Sequence, residues 1–151
     1  MSCDIPELTA HLGYRLRQLS NHVSQAFSRK LAAKDVTVAE WTVMRRLYPV
    51  ESVAPSQLAD AMGMTRGAIS KLADRLVAKS LVVRDASATD GRAHFLRLTA
   101  HGAEMVPALA ALAEQNEAEC FAHLSSADRA VLERILANAV VQLRITATPV
   151  E

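Results

Sequence analysis

Between Pro55 and Thr99 the spacing of hydrophobic positions changes twice. Leu58, Ala59 and Met62 fall on one side of a short helix, and Ile69, Leu72, Ala73 and Leu76 on one side of a second, with Gly63 between them. After Ser80 the period shortens to two through LVVRD. A polar loop follows with an Asp90-Gly91 turn signal, and a second alternating run ends at Leu98. Helix, turn, helix and hairpin in that order predict a winged helix.

Helical periodicity returns on both sides. Leu8, Leu12, Leu16, Leu19, Val23, Phe27 and Leu31 recur every three or four residues, predicting a long amphipathic helix from about Pro6 to Lys34. Thr37 and Glu40 have capping-box spacing, so another helix starts there with Trp41, Met44, Leu47 and Tyr48 along one side. Pro49 stops it, and after a short ESVA connection Pro55 suits the first position of the next helix. Thr99 is placed to cap an Ala- and Leu-rich helix to about His123, in which Pro107 is expected only near the start or at a bend. Ser125 and Asp128 form a further capping-box pattern ahead of Val131, Leu132, Ile135, Leu136, Val140 and Leu143. The tail after Thr146 is expected to fray.

The expected fold is mainly α: a winged helix-turn-helix with a two-stranded β-hairpin wing, flanked by long N- and C-terminal dimerisation helices. Residues 1–151 form a single domain, with the DNA-binding winged helix at 37–101 and dimerisation helices at 5–34 and 102–147. The end helices carry more apolar surface than a small winged helix can cover. Apolar patches of that size mark interfaces, and a homodimer is the economical cover.

Composition narrows this picture. The chain is 50% hydrophobic but only 4% aromatic, so its core is built from Leu, Val, Ala and Ile. The net charge of +1 is unevenly spread: residues 1–55 carry seven Lys/Arg against five Asp/Glu, residues 56–101 seven against four, and residues 102–151 three against seven. A basic middle and an acidic end suit a polyanion meeting the middle of the chain. No apolar run approaches the ~20 residues of a membrane span, and MSCDIPELTA lacks the features of a secretory signal, so a cytoplasmic protein with no membrane partner is expected. Cys3 and Cys120 form no CxxC pair and read as free thiols. His11 and His22 share a helix face but lie ~16 Å apart, too far to share a metal. With the other histidines scattered and no hydrolase, Walker or Rossmann motif, neither an enzyme, a cofactor nor a metal site is expected.

Thr65 stands as N-cap of the helix from Arg66 to Lys79, and Arg66, Gly67, Ser70, Lys71 and Asp74 fall opposite its apolar face. Short polar and basic groups on a narrow face suit the major groove of double-stranded DNA. Arg66 or Lys71 can reach guanine, Ser70 a base edge, and Thr65 with the helix N-terminus a phosphate, while Gly67 admits a close backbone approach. Asp74 is repelled by phosphate, so it orients Lys71 or a neighbouring Arg, or accepts from a cytosine amino group. Ser56, Arg75 and Arg84 complete the expected DNA-contacting set on this segment. At the wing, Arg92 suits a narrow minor groove, with Asp90 either holding its guanidinium or serving as a hairpin-turn residue.

The run PSQLADAMGMTRGAISKLADRLVAKSLVVRD, followed by DGRAHFLRLTAHG and preceded by TVAEWTVMRRL, resembles the MarR (multiple antibiotic resistance regulator) family of bacterial transcription factors. The resemblance implies a triangular homodimer whose chain ends form the interface and whose two winged helices read the halves of a palindromic operator. It also implies that Asp90 and Arg92 are the family's wing pair, and that Arg66, Ser70 and Lys71 lie on its recognition helix. Many members are repressors released by small aromatic or phenolic effectors bound between the dimerisation and DNA-binding regions. Here the expected lining is Tyr14, Arg15, Trp41, Met44 and Arg45, with plain core as the alternative for Trp41 and Met44. Two alternatives keep the same fold. One is a redox- or metal-sensing regulator using Cys120 near His123; the other is a winged-helix protein-interaction module.

Overall fold

Hydroxyl caps decide where most of the helices begin. The computed structural model describes residues 4–49, 52–86 and 94–150. Thr37 Oγ1 accepts from the Glu40 N–H at 3.2 Å while Glu40 Oε2 accepts from the Thr37 N–H at 3.0 Å, closing the capping box that opens α2 (Val38–Leu47). Thr65 Oγ1 caps α4 (Arg66–Ala78) through the Ala68 N–H. Thr99 caps α5 (Ala100–Phe121) through the Gly102 N–H and donates its own hydroxyl proton to the Ser80 carbonyl at 2.7 Å. Ser125 caps α6 (Ser126–Gln142), supplying one half of the expected box through the Asp128 N–H. In α3 (Pro55–Met62) Pro55 stands first, where no N–H is needed, and the helix ends at Gly63 with φ 64°.

Apolar faces of these helices converge on one core. Met44 and Leu47 of α2, Leu58 and Met62 of α3, Ile69 and Leu76 of α4, and Leu109 of α5 are all buried in it. Behind α4 the antiparallel strands β1 (Val82–Ala86) and β2 (His94–Leu98) pair with Val82 opposite Leu98 and Ala86 opposite His94. Val82, Leu96 and Leu98 point inward. α5 begins directly against this hairpin: a Cβ on Gly102 would lie 2.2 Å from the Leu81 carbonyl oxygen, a contact no larger residue can make.

Four expectations need correction. The first helix does not run unbroken from Pro6: Leu8–Ala10 form a 3-10 turn, His11 is extended, and α1 spans Leu12–Ala32. Its start has no side-chain cap, and instead Arg15 Nε donates to the Thr9 carbonyl at 2.7 Å, tying the turn to the helix. Pro107 sits inside α5 as its eighth residue without ending it. The ring lies on the exposed side, and the buried anchors Val106 and Leu109 hold the helix on both sides of the missing donor. The connection before α3 is also more than a link, because Val53 exchanges both backbone hydrogen bonds with Leu96 at 2.9 and 3.0 Å.

The fourth correction concerns the chain after Thr146, which docks rather than frays. Arg46 Nη2 donates to Thr148 Oγ1 at 2.7 Å, and that hydroxyl donates to the Ala61 carbonyl at 3.0 Å. Ala147 lies against Gly63, and Val150 packs on the core. The bare surface at Gly63 and the apolar Val150 give this segment a seat that its composition does not advertise.

The end helices are less covered. α1 is joined to α5 by Lys30, whose ammonium donates to Asn116 Oδ1 at 3.1 Å and pairs with Glu119 at 2.8 Å, and by Asn116 Nδ2 donating to the Val23 carbonyl. Toward its N-terminus Leu12, Leu16 and Leu19 are exposed, and α6 has no buried residue at all.

Candidate nucleic-acid interface

α4 has two faces of opposite character. Ile69, Leu72, Ala73 and Leu76 are buried, whereas Thr65, Arg66, Gly67, Ser70, Lys71 and Asp74 are exposed. Arg66 and Lys71 are exposed on the first two turns, and neither bonds to any other described residue. A Cβ on Gly67 would meet nothing within 4 Å. The fold therefore does not require glycine there, and its absent side chain leaves room in front of the helix.

Asp74 takes one of the roles left open for it: its carboxylate pairs with the Arg84 guanidinium from β1. The same Nη2 leans on the Ser70 carbonyl at 3.4 Å. The pair neutralises the one acid on the exposed face and draws the cation of the wing's first strand against it. Farther along the hairpin, Arg97 bonds Asp85 at 2.8 Å, and that hydrogen bond holds the Asp85 carboxyl below its ordinary range. Ser56 is half-buried in the first turn of α3. Asp90 and Arg92 lie outside the described residues.

Arg75, expected to contact DNA, is engaged elsewhere. Its Nε and Nη2 donate to Glu40 Oε1 at 3.1 and 3.0 Å, and Nη2 also reaches Thr37 Oγ1 at 3.2 Å. Lys79 Nζ donates to Glu40 Oε2 at 2.9 Å and to the Asp35 carbonyl at 2.6 Å. Glu40 itself is 1% exposed. Burial pushes its carboxyl up, but bonds from Lys79, the Thr37 N–H and Arg75 outweigh that and hold it below the ordinary glutamate value. Capping-box spacing alone predicts no more than a capping role for Glu40. Its position at the head of the buried Glu40, Val43, Met44, Leu47 stripe was the available signal that it also points into the interior.

The expected effector lining does not assemble within one chain. Met44 is fully buried in the core, Arg45 is exposed, and Arg15 is held by Thr9. Tyr14 lies nine residues before Val23, about 14 Å along α1. Trp41 borders a cavity of about 300 Å³, which it shares with Val23, Phe27, Val38, Thr42, Asn116 and Pro149 among others. Met44, three residues on, shares that side of α2 but is fully buried in the core. Among the described residues no three His, Cys, Asp or Glu side chains are grouped to hold a metal, and no helix is long and apolar enough to cross a membrane.

Comparison with known proteins agrees with this geometry. A sequence profile of the MarR family matches residues 34–93, the segment containing α2 to α4 and the first strand. The chain is 28% identical over 130 residues to a Thauera aromatica protein assigned to transcriptional regulation of the hcr operon, covering 85% of this chain and 78% of that one. Among solved structures, a variant of Escherichia coli MarR complexed with operator DNA superposes with a TM-score of 0.76 at 24% identity, covering 85% of this chain and 93% of that one. Bordetella bronchiseptica BpsR, whose DNA binding is regulated by 6-hydroxynicotinic acid, superposes with a TM-score of 0.77 at 20% identity over 89% of this chain and 96% of its own. The structural likenesses establish the winged-helix fold. The profile and the curated relative add that this winged-helix segment is similar in sequence to the MarR family of transcription regulators.

Proposed function

We propose that the chain acts in the cytoplasm as a homodimeric repressor that reads a palindromic operator with two copies of α4. The observation that carries this reading is the exposed face of α4, where Arg66 and Lys71 lie beside the neutralised Asp74–Arg84 pair. Arg66 or Lys71 reads guanine, Ser70 a base edge, and Thr65 with the helix N-terminus holds a phosphate. Ser56 and Arg84 contact the flanking backbone, and Asp90 and Arg92 form the wing pair at the minor groove. The apolar faces of α1 and α6 pair with those of a second chain, which fixes the distance between the two α4 helices. A small aromatic effector enters the Trp41 cavity, where Trp41 and Phe27 offer ring faces, and releases the operator by favouring a different spacing.

The test is fluorescence anisotropy on a duplex selected by the protein from a random pool. Lys71→Ala should lose about 1–3 kcal/mol on that duplex and relax preference at one position of each half-site. An equal loss on every sequence would make Lys71 a phosphate contact, and no selected sequence at all would refute the reading.

A further inference from the structure

We infer that Glu40 is the positioning residue of the DNA-reading helix, fixing the roll of α4 through Arg75 and Lys79. The inference rests on α4 being the helix that reads DNA. Apolar contacts through Ile69, Leu72 and Leu76 hold α4 against the core, but such contacts are non-directional and tolerate rotation about the helix axis. The bonds at its C-terminal end do not. One buried carboxylate accepts from Nε and Nη2 of Arg75, from Nζ of Lys79 and from the backbone N–H of Thr37. Arg75 also reaches Thr37 Oγ1 and Lys79 the Asp35 carbonyl, so the corner between α1 and α2 grips the last turns of α4 at several points.

A buried acid is a costly way to hold two helices together, since apolar residues of similar volume commonly serve stability as well. Direction is what the acid adds. Arg75 lies one turn after Lys71, so a roll at the grip is transmitted directly to the reading face. A roll of about 10° moves an atom about 6 Å from the axis by about 1 Å, enough to spoil a bidentate hydrogen bond to a base. Phosphate contacts, made by flexible cations at longer range, are far less sensitive.

The experiment uses the full chain, a duplex that the unmodified protein selects from a random pool, and an unrelated duplex of equal length. Glu40→Gln keeps the shape and removes the charge. It should weaken binding to the selected duplex at least tenfold while leaving the unrelated duplex within twofold, at a temperature where circular dichroism shows the protein folded. Lys79→Gln, made from the half-exposed side of the grip, should lose discrimination in the same way, so the test survives if Glu40→Gln fails to fold. The double variant should be no worse than the worse single one, as expected for groups that act as a unit. Equal losses on both duplexes, or an unchanged ratio between them, would reduce Glu40 to a stabilising ion pair and overturn the inference. An unmodified protein that selects no sequence would overturn the operator reading and the inference with it; an unmodified protein that selects one, beside variants that discriminate equally well, would overturn the inference alone.

Discussion

The middle of the chain and its ends solve the problem of apolar surface in opposite ways. From α2 to β2 the inward positions of every helix and both strands are closed within one chain, and the charges between them are paired: Glu40 with Arg75 and Lys79, Asp74 with Arg84, Asp85 with Arg97. In α6 nothing is buried, with Ile135 50% and Val141 71% exposed, and Leu12 at the start of α1 is 82% exposed. A reader built to be rigid is thus attached to helices that remain half a core. Under the proposed function, the contrast lets one fold keep a fixed DNA-contacting face while a partner chain sets the distance between two such faces.

The contrast can be broken most severely at α6. Ile135→Glu combined with Leu136→Glu should prevent pairing and weaken operator binding by about 10²–10⁴-fold, because each reader would then bind alone. Sedimentation should show a monomer, and circular dichroism an intact winged helix.

Truncations of equal chemistry sharpen it further. Leu76→Ala in the closed core should cost about 2–5 kcal/mol of unfolding free energy at any protein concentration. Ile135→Ala should instead appear as a melting transition that moves with concentration. If both variants behaved alike, the two regions would not differ as described.

A third measurement isolates the grip on α4. The folded-state pKa of Glu40 lies below its unfolded value, so its contribution to stability is fully present above the ordinary glutamate range and is lost as pH falls through the depressed value. Urea unfolding of the unmodified chain and of Glu40→Gln should therefore differ at neutral pH and converge in acid. A difference that persists unchanged into acid would trace the effect to packing.

The smallest effect is expected in the tail. Thr148→Ala removes the hydroxyl between Arg46 and Ala61 and should cost about 0.5–1.5 kcal/mol. Because Pro149 borders the same cavity as Trp41, the only tryptophan, emission should shift to the red as this segment loosens. An unshifted spectrum would mean that the tail does not shelter Trp41.

Local signals in the sequence anticipated the starts of α2 to α6: Pro55 for α3, and for the others a capping hydroxyl, which acts within four residues of itself. Thr37, Thr65, Thr99 and Ser125 all cap as their spacing predicts. The amphipathic face of α4 was equally legible, because burial of Ile69 and Leu76 fixes where Arg66 and Lys71 must point. Contacts between distant segments were not. Nothing near Val53 announces its pairing with Leu96, and nothing near Thr148 announces Arg46 or Ala61. The same limit separates the expected effector lining: Trp41 and Met44 share an apolar helix, but only the packing of α1 and α5 decides which of them meets a cavity and which the core. Arg75 was read from its charge alone, and its acid partner lies 35 residues away.

Sedimentation of the unmodified chain, free and on its selected duplex, tests the central claim most directly. The account predicts twice the mass of one chain in solution and two chains on each duplex, with the selected sequence symmetric about its centre. A single chain that remains monomeric, binds the duplex one to one and selects an asymmetric site would contradict it.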